Sequence, residues 1–419
     1  MKFGLRNIRA LLREAGHPER YFPALHVAGT NGKGSTSSFL ASILQEAGCR
    51  TGLYTSPHLV RFTERIRING AEIPERRLVD YARALRPGIE AVQATFFEAT
   101  TCVAFLYFAD EEVDIAVIET GLGGRLDATN TLRPLSSIIT NVGLEHTEIL
   151  GTTLRAIARE KAGIIKKGIP VVTSAKEPEV LRVFRRTAAR RKTRLFVSGN
   201  VVEPTVFGGR DGCSRVKMNA RIFSVGPVLL GLPGGHQVAN ASLAVAALEV
   251  LRRKGKLSQV TARQVEDGLR RVQKNTGLRA RMEELDTPTG RILLDVAHNP
   301  AGMDTLVRSL TGRGVRCPVA VFGVMKDKDV EAMLTVLSRV VSTVVAVAPG
   351  VDRALPAAEV KKMAKKAGIH AILGPTVPAG MRKALLLAGP ETLAKRARIL
   401  ITGSHYVVGE ALSYLEKST

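Results

Sequence analysis

Gly29 to Ser35, reading GTNGKGS, constrains this chain more than any other stretch: it joins a short apolar run, Ala24 to Ala28, to a helix-like run from Thr36 to Glu46. A strand, a glycine turn and a helix start in that order aim free backbone N–H groups and the positive end of a helix dipole at one point. Gly29, Gly32 and Gly34 leave room there for a phosphate. Lys33 can add charge for the terminal phosphates, and Ser35 a hydroxyl for Mg2+. The match to the general G-x-x-x-x-G-K-[ST] pattern is incomplete, because its outer glycine falls on Val27 and Gly34 directly follows Lys33. The candidate nucleotide cradle is therefore Gly29, Thr30, Asn31, Gly32, Lys33, Gly34 and Ser35.

A chain of 419 residues is too long for one ordinary core and calls for two domains. Its 61 Lys and Arg against 38 Asp and Glu leave a formal charge of +23. Such an excess attracts polyanions, which include nucleic acids, nucleotides and polycarboxylates. Aromatic residues make up only 5% and Trp is absent, so platforms for stacking bases are scarce. Cys49, Cys102, Cys213 and Cys317 lack any C-x-x-C spacing, which argues for reduced thiols and against a zinc site or disulfide framework. The N-terminal apolar residues are interrupted by Arg and Glu, and no apolar run is long enough to span a bilayer. A cytoplasmic chain with no membrane partner is expected.

Along the chain, Leu5, Ile8, Leu11 and Leu12 mark an amphipathic helix leading into the first strand. Arg50 to Thr55 reads as a second strand, and SPHLVRFTERIRING after it as loop and turn. Glu98 to Phe108 reads as a helix. VDIAVIE, Val113 to Glu119, reads as a fully buried strand ending in a carboxylate. Ser137 to Thr140 is a further strand. In open parallel sheets ligands collect beyond the carboxyl ends of strands, and Gly29, Glu119 and His146 all fall at or just past such ends. Thr153 to Lys166 and Gln237 to Leu251 read as helices, Val171 to Ser174 as a strand, and 180 to 230 as basic residues with short β-like runs, peripheral to the fold. Turn residues gather near 275 to 290. Beyond them, apolar runs at 292–296, 319–322, 344–347, 371–373 and 399–401 alternate with helical stretches. The expectation is an α/β fold of two domains: residues 1–283, a P-loop parallel sheet with helices, and 284–419, a smaller Rossmann-like α/β domain.

A nucleotide at the P-loop needs a metal to bridge its phosphates, and Mg2+ prefers hard oxygens. Ser35 and Glu119 suit that role. On residue type alone His146 serves equally well as a core or capping histidine, and Lys161 as an ordinary surface charge. The strings HVAGTNGKGS from His26, TSPHLVRFTERIRING from Thr55, ETGLGGRLDATN from Glu119, EHTEILG from Glu145, AREKAGIIK from Ala158 and LDVAHNP from Leu294 then resemble one family. They are similar, in the same order and over nearly the whole chain, to the folylpolyglutamate synthases, including bifunctional dihydrofolate synthases, of the Mur ligase superfamily.

The resemblance implies an ATP-dependent amide ligase that joins L-glutamate to a folate or to dihydropteroate through an acyl phosphate, with catalytic roles for Lys33, Lys161 and His298. By similarity, Ser35, Glu119, His146 and Lys161 hold two Mg2+ ions, Lys161 as a CO2-derived carbamate. Asn240, Arg281 and Asp295 reach the nucleotide together with the P-loop. Ser56, Pro57 and His58, in the loop that runs on to Leu59, with Phe97 and Glu98, line the folate side. The chain departs from the family at its P-G-R-[LM]-E turn, which reads Arg279, Ala280, Arg281, Met282, Glu283. A monomer without nucleic acid is expected. The alternatives are a Mur-type ligase for another carboxylate and, from another class, a nucleic-acid-dependent P-loop ATPase suggested by the charge.

Overall fold

The computed structural model describes residues 4–287, 290–388 and 398–417. They form two compact units, each with its own cores. The first comprises Met1–Pro57, Thr63–Leu232 and His236–Leu278, and the second His58–Phe62, Pro233–Gly235 and Arg279–Thr419.

In the first unit eight strands form one sheet. They are β1 (Ala24–Ala28), β2 (Thr51–Tyr54), β3 (Ile66–Ile68), β4 (Ala71–Glu72), β5 (Ile115–Glu119), β6 (Ser136–Ile139), β7 (Val171–Thr173) and β8 (Leu195–Val197). Their order is β4-β3-β2-β5-β1-β6-β7-β8, parallel from β2 to β8, with β3 and β4 antiparallel at one edge. The parallel strands read as unbroken apolar runs because helices cover both faces; β1 and β5 are buried along their whole length. The helix Lys33–Glu46 is buried nearly all round, from Gly34 to Leu44, between the sheet and the helices Gln237–Arg252 and Ala262–Arg270, and its polar residues there are small Ser and Thr.

Two expectations about this unit are corrected. Part of the SPHLVRFTERIRING stretch is strand: Ile66 and Ile68 pair antiparallel with Tyr54 and Gly52. Residues 180–230 are not peripheral. Pro178–Arg190 is a helix packed through Val180, Val183 and Phe184, and three strands, β9 (Glu203–Arg210), β10 (Cys213–Asn219) and β11 (Ser224–Leu229), make an antiparallel sheet. Val216, Met218, Val225 and Val228 from that sheet enter the main core, while Arg215 and Lys217 alternate with them on the outer face. Arg215, Val216, Lys217 and Met218 thus alternate with the period of two of a half-buried strand.

The second unit carries six strands: β12 (Arg281–Thr287), β13 (Gly290–Asp295), β14 (Val319–Phe322), β15 (Thr343–Ala348), β16 (His370–Thr376) and β17 (Ile399–Thr402). Their order is β12-β13-β17-β14-β15-β16, all parallel except β12 against β13. Both faces are covered by helices, giving separate apolar layers around Leu293, Phe322 and Leu334 on one side and Val321, Val345 and Met381 on the other. A boundary after Glu283 would pass through β12, which belongs wholly to this unit. Among the described residues no helix is long and apolar enough to cross a membrane.

Candidate functional site

Strand order decides where the chemistry gathers. β1 lies between β5 and β6, so three loops emerge side by side at one edge of the sheet: the P-loop after Ala28, the segment after Glu119, and the segment after Ile139. The P-loop is held in place closely. A Cβ added to Gly29 would sit 1.7 Å from Thr140 Oγ1, and one added to Gly32, at φ 82°, would sit 2.4 Å from Asn240 Oδ1. Both glycines are therefore obligatory for the packing. Gly32 opens the helix Lys33–Glu46, whose first turn supplies the amides of Lys33, Gly34 and Ser35.

Asn240, expected at the nucleotide, stands beside Gly32 and donates through Nδ2 to Gln237 Oε1 at 2.9 Å. Thr30 Oγ1 accepts from the Gly143 N–H at 2.9 Å, and Lys33 Nζ donates to the Thr30 carbonyl at 3.3 Å.

Lys161 is not on the surface. It ends the helix Leu154–Lys161, is 3% exposed, and its Nζ donates to the Gly29 carbonyl at 2.7 Å. Burial, with the nearby Lys33 charge adding to it, lowers its pKa to about 7, while Glu145 and Asp127 act the other way. The sequence pattern concealed this because Arg155 and Arg159 on the same helix are exposed.

Ser35 and Glu119 are 2% and 4% exposed, and Glu119 Oε2 accepts the Ser56 N–H at 3.3 Å. His146 adopts a left-handed conformation, φ 50° and ψ 43°, at the start of Thr147–Leu150, with Nε2 3.9 Å from Glu145 Oε1. Such a conformation costs a non-glycine residue about 1–2 kcal/mol and tends to be kept where side-chain direction matters. Among the described residues no three His, Cys, Asp or Glu gather for a metal. The candidate set instead draws on a hydroxyl, one carboxylate, one imidazole and Lys161. Its two closed-off oxygen donors beside a phosphate loop fit Mg2+.

The folate-side residues divide. Ser56 and Pro57 stay with the first unit, whereas His58 and the residues to Phe62 pack with the second, where the Leu59 carbonyl lies against Gly409 and the His58 ring is 5.9 Å from Phe62. Phe97 stands behind the strand-end loop: a Cβ on Gly121 would lie 2.6 Å from its ring, and its centroid is 6.1 Å from that of Tyr54. Glu98 is corrected. It is the third residue of a capping box, its Oε2 accepting the Thr95 N–H at 2.7 Å while Thr95 Oγ1 accepts the Glu98 N–H. The geometry assigns that carboxylate to the helix start.

In the second unit Arg281 and Asp295 are register partners across β12 and β13. Asp295 is buried, which raises its pKa, and accepts the Met282 and Ala297 amides at 3.0 and 2.9 Å. His298 Nδ1 donates to the Val296 carbonyl at 2.8 Å, and its ring lies 5.3 Å from that of His405. The turn before Arg281 forms without the family's glycine: Ala280 and Met282 both take left-handed φ, 58° and 51°, and Glu283 Oε2 accepts the Ala280 N–H at 2.7 Å.

Sequence reasoning missed Thr140 and Asn141, which bond the P-loop, and the buried group behind it. In that group His26 Nε2 pairs with Thr129 Oγ1 at 2.8 Å, and Thr129 donates to Asp127. Position just past a strand end was the available signal for Thr140 and Asn141.

A phosphate loop, buried oxygen donors and a buried lysine at one edge of a parallel sheet define a P-loop enzyme of the class that transfers phosphoryl groups. The Mur ligase middle domain model matches residues 27–248, and the Mur ligase glutamate ligase domain model residues 280–405. A dihydrofolate synthase/folylpolyglutamate synthase of Bacillus subtilis is 37% identical over 345 residues, 80% of this chain and 78% of that one. E. coli FolC, solved with DHPP and ADP, superposes with a TM-score of 0.87 at 28% identity, covering 100% of this chain and 94% of the other. The bifunctional folylpolyglutamate synthase/dihydrofolate synthase of Yersinia pestis, complexed with AMPPNP and Mn ion, gives 0.85 at 27% identity, covering 99% and 94%. The chain belongs to the Mur ligase family, in its folylpolyglutamate and dihydrofolate synthase branch.

Proposed function

We propose that this protein is an ATP-dependent amide ligase that adds L-glutamate to a folate, to dihydropteroate, or to both. A carboxylate oxygen is a poor leaving group, so the acid is first activated. A carboxylate oxygen attacks the γ-phosphorus of ATP, the bond to the β-phosphate oxygen breaks, and ADP leaves. The glutamate amine then attacks the acyl carbon, phosphate departs with the electron pair of the C–O bond, and the amine loses a proton. The amides at the helix start and Lys33 hold the phosphates as charge shifts among them. Mg2+ held by Ser35, Glu119 and His146 would supply further charge neutralisation. Arg281, Asp295 and His298 are the second unit's proposed contribution at the nucleotide.

The observation that carries the reading is Lys161, a family-matched lysine buried beside the loop and bonded to the Gly29 carbonyl at 2.7 Å. An amine with a pKa near 7 is neutral in good part at neutral pH. Its lone pair can attack CO2, lose a proton and become a carbamate, an oxygen ligand of the kind Mg2+ prefers. The related enzymes solved with DHPP and ADP, and with AMPPNP and Mn ion, support the substrate and metal classes.

The test is orthophosphate release and product mass with MgATP, glutamate and each pterin in turn. Release that requires all three substrates, with a product one glutamyl residue heavier, is expected. ATP hydrolysis stimulated by nucleic acid and indifferent to folate and glutamate would overturn the reading. Lys33→Ala and Glu119→Ala are each expected to abolish ligation and leave the fold intact.

A further inference from the structure

The phosphate loop is held from outside its own sequence. Thr140 and Asn141 directly follow β6, the neighbour of β1. The Thr140 N–H donates to the Ala28 carbonyl at 2.8 Å, and the Thr140 hydroxyl to the Asn31 carbonyl at 2.7 Å. The Asn141 carbonyl accepts the Thr30 N–H at 3.0 Å, and its side-chain Oδ1 the Asn31 N–H at 2.9 Å. Lys161 and Lys33 donate to the carbonyls of Gly29 and Thr30, and the Thr36 N–H to that of Gly32. Every carbonyl from Ala28 to Gly32 thus receives a donor. The Gly29–Thr30 and Thr30–Asn31 peptide units are gripped at both their C=O and N–H groups, and the Asn31–Gly32 unit at its carbonyl.

That arrangement has an electrostatic consequence. A peptide plane that rotated would turn a carbonyl, with its partial negative charge, toward the place where an anion must sit. Held planes leave the helix-start amides facing the anion with no reorganisation when it arrives. Thr140 Oγ1 also fills the space a side chain at Gly29 would need, so the close fit of loop and strand end requires glycine at position 29.

We propose that Thr140 and Asn141 are positioning residues for the nucleotide: by bonding the Thr30 and Asn31 peptides they fix the loop in its anion-accepting form. The inference rests on reading the loop as a nucleotide site, and its test therefore measures binding before activity.

Calorimetric titration of MgADP into the parent, Thr140→Ser, Thr140→Ala and Asn141→Ala is the experiment, with thermal melts to confirm folding. Thr140→Ser keeps the hydroxyl, and its Kd should stay within about twofold of the parent. Thr140→Ala and Asn141→Ala should each weaken MgADP about tenfold, near 1.4 kcal/mol, with unchanged stoichiometry. In steady state the KM for ATP should rise with Kd while the KM values for glutamate and the pterin stay put. A folded Thr140→Ala that binds as tightly as the parent, or one that loses binding stoichiometry in place of affinity, would overturn the proposal. A parent that binds MgADP but ligates nothing would sink the ligase reading and leave this test standing. A parent that binds no MgADP would sink both.

Discussion

An ammonium group closed off from water is costly, and the Gly29 carbonyl beside Lys161 offsets only part of that cost. The charge of Lys161 is therefore easily given up, and its carbamate form would gain the metals as partners. Lys161→Ala is expected to lose at least about a hundredfold in turnover, roughly 2.7 kcal/mol of barrier, and to regain part of it when a short carboxylate such as acetate is supplied. Lys161→Arg should be inactive and stay so. Full activity of Lys161→Ala in bicarbonate-free buffer would contradict the carbamate. His26 shows the same physics on the stability side. Burial, and then the Lys166 charge, lower its pKa from 6.5 to about 3. As pH falls below 6.5 the unfolded chain takes up a proton that the folded chain refuses, so the contribution is complete above that pH and is lost between 6.5 and 3. By linkage it is worth on the order of 5 kcal/mol. Melting temperature should fall over that interval in the parent, and more shallowly in His26→Gln. Identical slopes would show that His26 is not the group.

At the scale of elements, Thr95 and Glu98 close a helix start. Gln at the third position completes a capping box as well as Glu, so Glu98→Gln should preserve stability and leave the KM for the pterin substrate unchanged. Thr95→Ala should cost about 1 kcal/mol in urea unfolding. A pterin KM raised tenfold in Glu98→Gln would return the carboxylate to the substrate. The helix itself was legible in the sequence; T-x-x-E also carries a capping-box signature, but resemblance placed Glu98 on the substrate side instead. The strands β1, β5 and β6 were legible for a plainer reason. Parallel strands covered on both faces are short apolar runs, and their ends mark the site. β10 was legible only as a short β-like run; that Val216 and Met218 enter the main core while Arg215 and Lys217 face outward was not, because alternation gives a buried face without saying what covers it. Lys161 was found through resemblance alone: neighbours at 155 and 159 are exposed cations, and periodicity does not single out the one that turns inward.

For the whole molecule, the family matches span both units, so the phosphate loop, Glu119, His146 and Lys161 in the first, and Arg281, Asp295 and His298 in the second, stand in one enzyme. The +23 charge, which by itself admitted nucleic acid, also suits ATP and a polyglutamylated substrate, each a polyanion. The proposed chemistry turns on the acyl phosphate: the loop, the cations and the buried oxygens would all serve phosphoryl transfer to a carboxylate. The most direct measurement follows an oxygen atom. A substrate labelled with oxygen-18 in its reacting carboxylate is turned over with unlabelled MgATP and glutamate, and the released orthophosphate is examined by phosphorus NMR. An acyl phosphate requires one labelled oxygen in each phosphate and the other retained in the new amide. Phosphate released without label, while the amide forms at the normal rate, would contradict the account.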